Sequence, residues 1–101
     1  MITSSALDIP ADHPAYAGHF PGEPVLPGAV LLEAALEAIE RNGRSAPFGW
    51  HVLSAKFHRP VRPGEPLHLE HEALADGAVR FTIRISSELA ASGLVRPARE
   101  H

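Results

Sequence analysis

Gly28-Ala29-Val30-Leu31-Leu32-Glu33-Ala34-Ala35-Leu36-Glu37-Ala38-Ile39-Glu40-Arg41 decides the fold class. At 3.6 residues per turn, Glu33, Glu37 and Glu40 fall within an arc of roughly 60°. Leu31, Leu32, Ala34, Ala35, Leu36, Ala38 and Ile39 occupy nearly all of the remaining circumference. The spacing predicts a helix over Gly28 to Arg41, about 21 Å long. A helix that is apolar over more than half its circumference needs other structure around it. Asn42-Gly43 follows as a stop signal.

Downstream of that helix the hydrophobic period changes from helical to two. His51 to Phe57 sets Val52, Ser54 and Lys56 opposite Leu53, Ala55 and Phe57, and Pro66 to Leu74 alternates around Leu67 and Leu69. Val79, Phe81, Ile83 and Ile85 interleave with Arg80, Thr82 and Arg84, the cleanest strand pattern in the chain. Asp76-Gly77 before it predicts a hairpin turn. Leu89 to Val95 reads as a weaker last strand, interrupted by Gly93. Upstream, Ser4 to Ile9 reads as a strand, and Pro10 to Pro27 as a loop stiffened by Pro21, Pro24 and Pro27. One enclosed helix followed by an antiparallel meander predicts an α+β fold, a curved sheet wrapped around a central helix. An open edge strand in so small a sheet invites pairing with another subunit.

With 101 residues and 45% apolar composition, the chain fits one domain over residues 1–101. A net charge of -3 supplies no basic field for nucleic acid or an anionic membrane. Met1 to Ser5 lacks the charged start and apolar core of a signal peptide, and Ala29 to Leu32 is too short to span a bilayer. The expected compartment is the cytoplasm. The absence of cysteine excludes disulfides and thiolate chemistry.

Two residues combine into acid–base chemistry. His19 stands in the proline-stiffened loop leading to the helix N-terminus, where about half a positive charge and unpaired N–H groups lower an imidazole pKa. Gly28, lacking a Cβ, lets its N–H approach a carbonyl oxygen closely and stabilise negative charge there. Taken singly, His19 equally fits an ordinary loop histidine and Gly28 a turn residue. Glu33 sits one turn into the helix. On helix geometry it is either a solvated member of the Glu33, Glu37, Glu40 stripe or, inside an apolar channel, a carboxyl group with a raised pKa that donates a proton. A lowered base and a raised acid form the pair that eliminates water. His68 and His71 lie three apart on a predicted strand and face opposite sides, which argues against a shared metal. His13, His51, His58 and His101 read as surface or turn residues, and no metal or nucleophile motif is present.

The whole segment His13-Pro14-Ala15-Tyr16-Ala17-Gly18-His19-Phe20-Pro21-Gly22-Glu23-Pro24-Val25-Leu26-Pro27-Gly28, continuing to Glu33, resembles the signature of the 3-hydroxyacyl-[acyl carrier protein] dehydratases of the FabZ/FabA type. That signature has a Gly-His-Phe-Pro loop, a Pro-Val-x-Pro-Gly turn and an aliphatic run ending in a carboxylate. A second block, Lys56-Phe57-His58-Arg59-Pro60-Val61-Arg62-Pro63-Gly64-Glu65-Pro66-Leu67, is similar to the family's Phe-x-Arg-Pro-Val-x-Pro-Gly-Asp-x-Leu strand and turn.

The resemblance implies a hot-dog fold acting as a homodimer or higher homo-oligomer, each active site built from two subunits. In that scheme His19 takes the α-proton, Glu33 of the partner chain protonates or positions the departing 3-hydroxyl, and the Gly28 N–H polarises the thioester carbonyl. The product is a trans-2-enoyl thioester in fatty-acid-like or specialised acyl or polyketide biosynthesis. No cofactor is implied. The substrate arrives on the phosphopantetheine arm of acyl carrier protein, an acidic partner for which Lys56, Arg59 and Arg62 are candidate docking cations. A hot-dog acyl thioesterase and a non-catalytic acyl-binding subunit are the competing readings. The thioesterase has no special need for His19 in a Gly-His-Phe-Pro loop.

Overall fold

The computed structural model describes residues 1–16 and 24–99. Five strands and one α-helix run in the order β1 (Thr3–Leu7), a short 3-10 turn (Pro14–Tyr16), α1 (Gly28–Arg41), β2 (Trp50–Phe57), β3 (Leu67–Ala73), β4 (Val79–Ile85) and β5 (Glu88–Pro97). The strands form one antiparallel sheet in the order β1-β3-β4-β5-β2, leaving β1 and β2 at its edges. The single helix against one face of this sheet is the hot-dog arrangement.

The helix takes its anticipated bounds, and its end explains why. Asn42 Nδ2 donates to the Ala38 carbonyl at 2.7 Å. Gly43, at φ 107°, sends its N–H to Glu40, while the Arg44 N–H reaches Ile39. These two bonds close a Schellman motif, which requires the left-handed residue that glycine supplies. Leu31, Ala35, Ala38 and Ile39 are buried against the sheet, spaced as one helical face. The two alanines allow close approach of helix and sheet. Glu33, Glu37 and Glu40 lie exposed on the far side.

Cross-strand pairing sorts the sheet into a dry and a wet face. On the helix side, Leu67 opposes Ile85, Leu69 opposes Ile83 and His71 opposes Phe81. On the outer side, Arg84 pairs with Glu70 at 3.3 Å and Arg80 with Glu72 at 3.6 Å. The Asp76-Gly77 signal forms a turn in which Leu74 N–H bonds the Ala78 carbonyl at 2.7 Å. Gly77 takes φ 88°, giving a three-residue hairpin loop.

Four strands depart by a residue or two from their expected limits, and two of the departures have a visible cause. β1 ends at Leu7 rather than Ile9 because its partner begins at Leu67, after Pro66. A proline has no N–H to continue the ladder. β5 is the longest strand, ten residues from Glu88 to Pro97, and Gly93 does not interrupt it. A Cβ at Gly93 would lie 2.5 Å from the Phe81 ring and 2.8 Å from the Ser54 carbonyl oxygen. Gly93 makes room for the largest fully buried side chain in the core.

Much of β2 stays exposed, although it meets the helix at Gly28 and packs Trp50 against the core. Val52, Leu53 and Phe57 are 39%, 42% and 51% exposed, and the preceding Phe48 is 55% exposed. Among the described residues, no helix is long and apolar enough to cross a membrane.

Candidate active site

The N-terminus of α1 opens onto a cavity of about 510 Å³, a volume within the range of small-molecule sites. Three stretches build it: Val25 to Pro27 before the helix, Gly28 and Leu31 of the helix, and Phe57 at the end of β2 with His58 to Val61 after it. Leu26 N–H donates to the Val61 carbonyl at 2.9 Å, tying the first stretch to the third. Pro27 caps the helix without a side-chain bond, and its carbonyl accepts from Val30 and Leu31 at 3.0 and 3.2 Å. Among the described residues, the Gly28 N–H meets no backbone carbonyl. Among those residues it is a donor without a backbone partner, at the positive end of the helix dipole.

Phe57 stands over this donor. A Cβ on Gly28 would fall 2.9 Å from the Phe57 Cζ atom and 3.0 Å from Cε2. A side chain at Gly28 would meet the ring, whereas the residue's own backbone is helical and would accept one. Phe57 was legible only as a strand residue inside the second motif block. Its closeness to Gly28 depends on how the end of β2 meets α1, which no local pattern encodes.

The turn after β2 is held by Glu65. Its carboxylate accepts the Arg62 N–H at 2.7 Å and pairs with Arg59 at 2.5 Å. Arg59 also approaches Glu88 at 3.4 Å and lines the cavity. Of the three candidate docking cations, Arg59 is thus half-buried and engaged by two carboxylates. Lys56 and Arg62 are exposed. His58, expected to be a plain surface residue, lines the cavity and shares a 3.0 Å hydrogen bond with Ser92 Oγ.

Glu33 lies on the exposed side of α1, one turn beyond Gly28, and does not line its own chain's cavity. His19 lies outside the described residues. Tyr16, just before that segment, is buried, and its hydroxyl pKa is raised by burial and by the negative charge of Glu65. His68 and His71 point to opposite faces. His68 bonds Ser4 on the outside, whereas His71 is 3% exposed with its Nε2 unpartnered among the described residues. Burial, then the nearby Arg44 charge, pushes the His71 pKa down. Among the described residues, no group of three or more His, Asp or Glu side chains converges as a metal site.

The sequence model of the family described as ApeI-like, ApeI dehydratase, matches residues 2–94. The chain belongs to this ApeI-like dehydratase family. A 3-hydroxyacyl-[acyl-carrier-protein] dehydratase FabZ of Haemophilus influenzae is 32% identical to this family member over 104 residues, covering 91% of this chain and 70% of its own length. The dehydratase heterocomplex ApeI:P from Xenorhabdus doucetiae contains a chain that superposes with a TM-score of 0.78 at 24% identity, covering 97% of this chain and 88% of that one. The fluoroacetyl-CoA thioesterase FlK superposes at 0.68 with 15% identity, covering 94% and 83% of the two chains. At such identities the superpositions establish the hot-dog fold, which serves more than one thioester chemistry. Family membership puts this ApeI-like chain in the dehydratase/hydratase class.

Proposed function

We propose that this ApeI-like chain removes water from 3-hydroxyacyl thioesters carried on acyl carrier protein, yielding the trans-2-enoyl thioester. The observation that carries the reading is the Gly28 N–H, without a backbone partner among the described residues, at an apolar cavity at the start of α1. A thioester oxygen accepting from that donor gains stabilisation as negative charge develops on it. His19 removes the proton on C2. The electron pair forms the C2=C3 bond while the C3–O bond breaks, and Glu33 protonates or positions the departing hydroxyl so that it leaves as water. Lys56, Arg59 and Arg62 are the proposed docking cations for the acidic carrier, with Lys56 and Arg62 the more available pair.

A second copy of the chain supplies the partner's Glu33 in this scheme. Two features support such pairing: the open edge of β2 and the uncovered Val52, Leu53 and Phe57 beside it. The exposure of Glu33, outside the lining of its own chain's cavity, supports a role in a neighbour's cavity.

Mass spectrometry of 3-hydroxyacyl carrier-protein substrates tests the reaction. Loss of one water with the thioester intact is the expected result. Release of the free carrier thiol without an enoyl product would replace dehydration by hydrolysis, and recovery of unchanged substrate across the acyl panel would leave an acyl-binding subunit.

A further inference from the structure

A single carboxylate closes the turn that follows β2. Glu65 Oε1 accepts the Arg62 N–H at 2.7 Å, and Glu65 Oε2 accepts from Arg59 Nη2 at 2.5 Å. These two bonds lie on either side of Val61 in the chain. Val61 is 2% exposed, and its carbonyl accepts the Leu26 N–H at 2.9 Å. Only Pro27 separates Leu26 from Gly28, and its ring fixes φ, here at -58°. The place of the Gly28 N–H at the cavity is therefore tied, through Leu26 and Val61, to the turn that Glu65 holds. The ion pair is half-buried, so solvent screens it less than a surface pair. All three guanidinium nitrogens of Arg59 are engaged within the chain: Nε donates to the Pro60 carbonyl at 3.2 Å, Nη1 to Glu88 at 3.4 Å and Nη2 to Glu65. A docking cation keeps its fork turned to the partner. This one turns it inward.

We propose that Arg59 and Glu65 are positioning residues: their pair sets where the Gly28 N–H meets the thioester oxygen, and Arg59 takes no part in holding the carrier. This rests on the dehydration reading and on Gly28 as the carbonyl donor, and it narrows the docking cations to Lys56 and Arg62.

The test measures kcat and KM for a 3-hydroxyacyl carrier-protein thioester in wild type, Arg59→Met, Arg59→Lys and Glu65→Gln. A displacement of about 1 Å at a reacting group costs up to roughly 10²-fold. Arg59→Met and Glu65→Gln should each lower kcat by about 10-fold, with KM held within about threefold. Arg59→Lys keeps a cation beside Glu65 and should recover most of the loss. Docking gives the opposite pattern: Arg59→Met raises KM, while Glu65→Gln releases the cation and lowers KM. That pattern, or a kcat within about threefold of wild type in both variants, overturns the assignment and leaves dehydration intact. A double-mutant cycle separates positioning from a general loss of structure, because independent effects multiply. Added to Gly28→Ala, Glu65→Gln should lower kcat by no more than about threefold further, since the donor it positions is already obstructed. A full further loss of about 10-fold also overturns the assignment. Failure of wild type to dehydrate any 3-hydroxyacyl substrate overturns the functional reading and this inference together.

Discussion

Replacing Gly28 with alanine separates the chemistry of the helix N-terminus from its stability. The substitution adds one carbon 2.9 Å from Phe57 Cζ and 3.0 Å from Cε2, closer than real side chains approach. The ring is 51% exposed and can swing outward. Gly28 is already helical, so alanine needs no unusual backbone and gains up to about 1 kcal/mol in helix propensity. Moving the ring costs a similar amount, at the low end of the roughly 1–3 kcal/mol typical of overpacking. Thermal stability should therefore change by no more than about 1 kcal/mol, or ~4–8 °C for a domain of this size. Turnover should respond quite differently. The new methyl crowds the approach to the Gly28 N–H, and loss of one such donor lowers kcat by about 10²–10³-fold. Enoyl formation on a 3-hydroxyacyl carrier-protein substrate, read beside a melting curve, gives both numbers. Turnover within threefold of wild type, with the fold intact, would refute Gly28 as the carbonyl donor.

Gly93→Ala should show the opposite balance: its Cβ meets the buried Phe81 ring and a backbone oxygen, neither free to move, so stability falls by about 1–3 kcal/mol in denaturant titration. His19→Ala and Glu33→Gln should each cut dehydration by on the order of 10²-fold or more, measured at saturating substrate with unchanged melting behaviour. His71, held below the ordinary histidine value of 6.5 by burial and Arg44, predicts a pH effect on stability. Below that pH the unfolded chain takes up a proton that the folded chain refuses, so stability falls as pH drops; urea titrations from pH 7.5 downward should show this slope, reduced in His71→Leu. Val52→Asp with Leu53→Asp places charge on the uncovered side of β2 and should shift light-scattering mass from dimer to monomer.

The helix and the strand beginning at Val79 were legible because their apolar periods run unbroken and are bounded by turn signals: Asn42-Gly43 after the one, Asp76-Gly77 before the other. Strand order was not. β2 follows the helix in sequence yet lies beyond β5 at the far edge, and a meander pattern contains no record of that crossing. Gly93 looked like a break because a glycine weakens a strand locally. Its reason sits across the sheet in Phe81. At the candidate site, Gly28 was recognisable from its place between a proline turn and an aliphatic helix, and the cavity forms there. Phe57 and His58 were not read as cavity residues because the cavity forms only where the end of β2 meets the start of α1. Arg59 read only as a candidate docking cation, since its partners Glu65 and Glu88 come from a turn and a different strand.

Complementation between two inactive variants addresses the shared-site claim most directly. Purified His19→Ala and Glu33→Gln proteins, differently tagged, are mixed under conditions that exchange subunits, and enoyl formation is followed. If each site joins His19 of one chain to Glu33 of the other, every hybrid dimer regains one intact site, and activity rises toward about a quarter of the wild-type level at random exchange. Hybrid dimers that form, as shown by co-purification through both tags, and yet remain as inactive as their parents would contradict it.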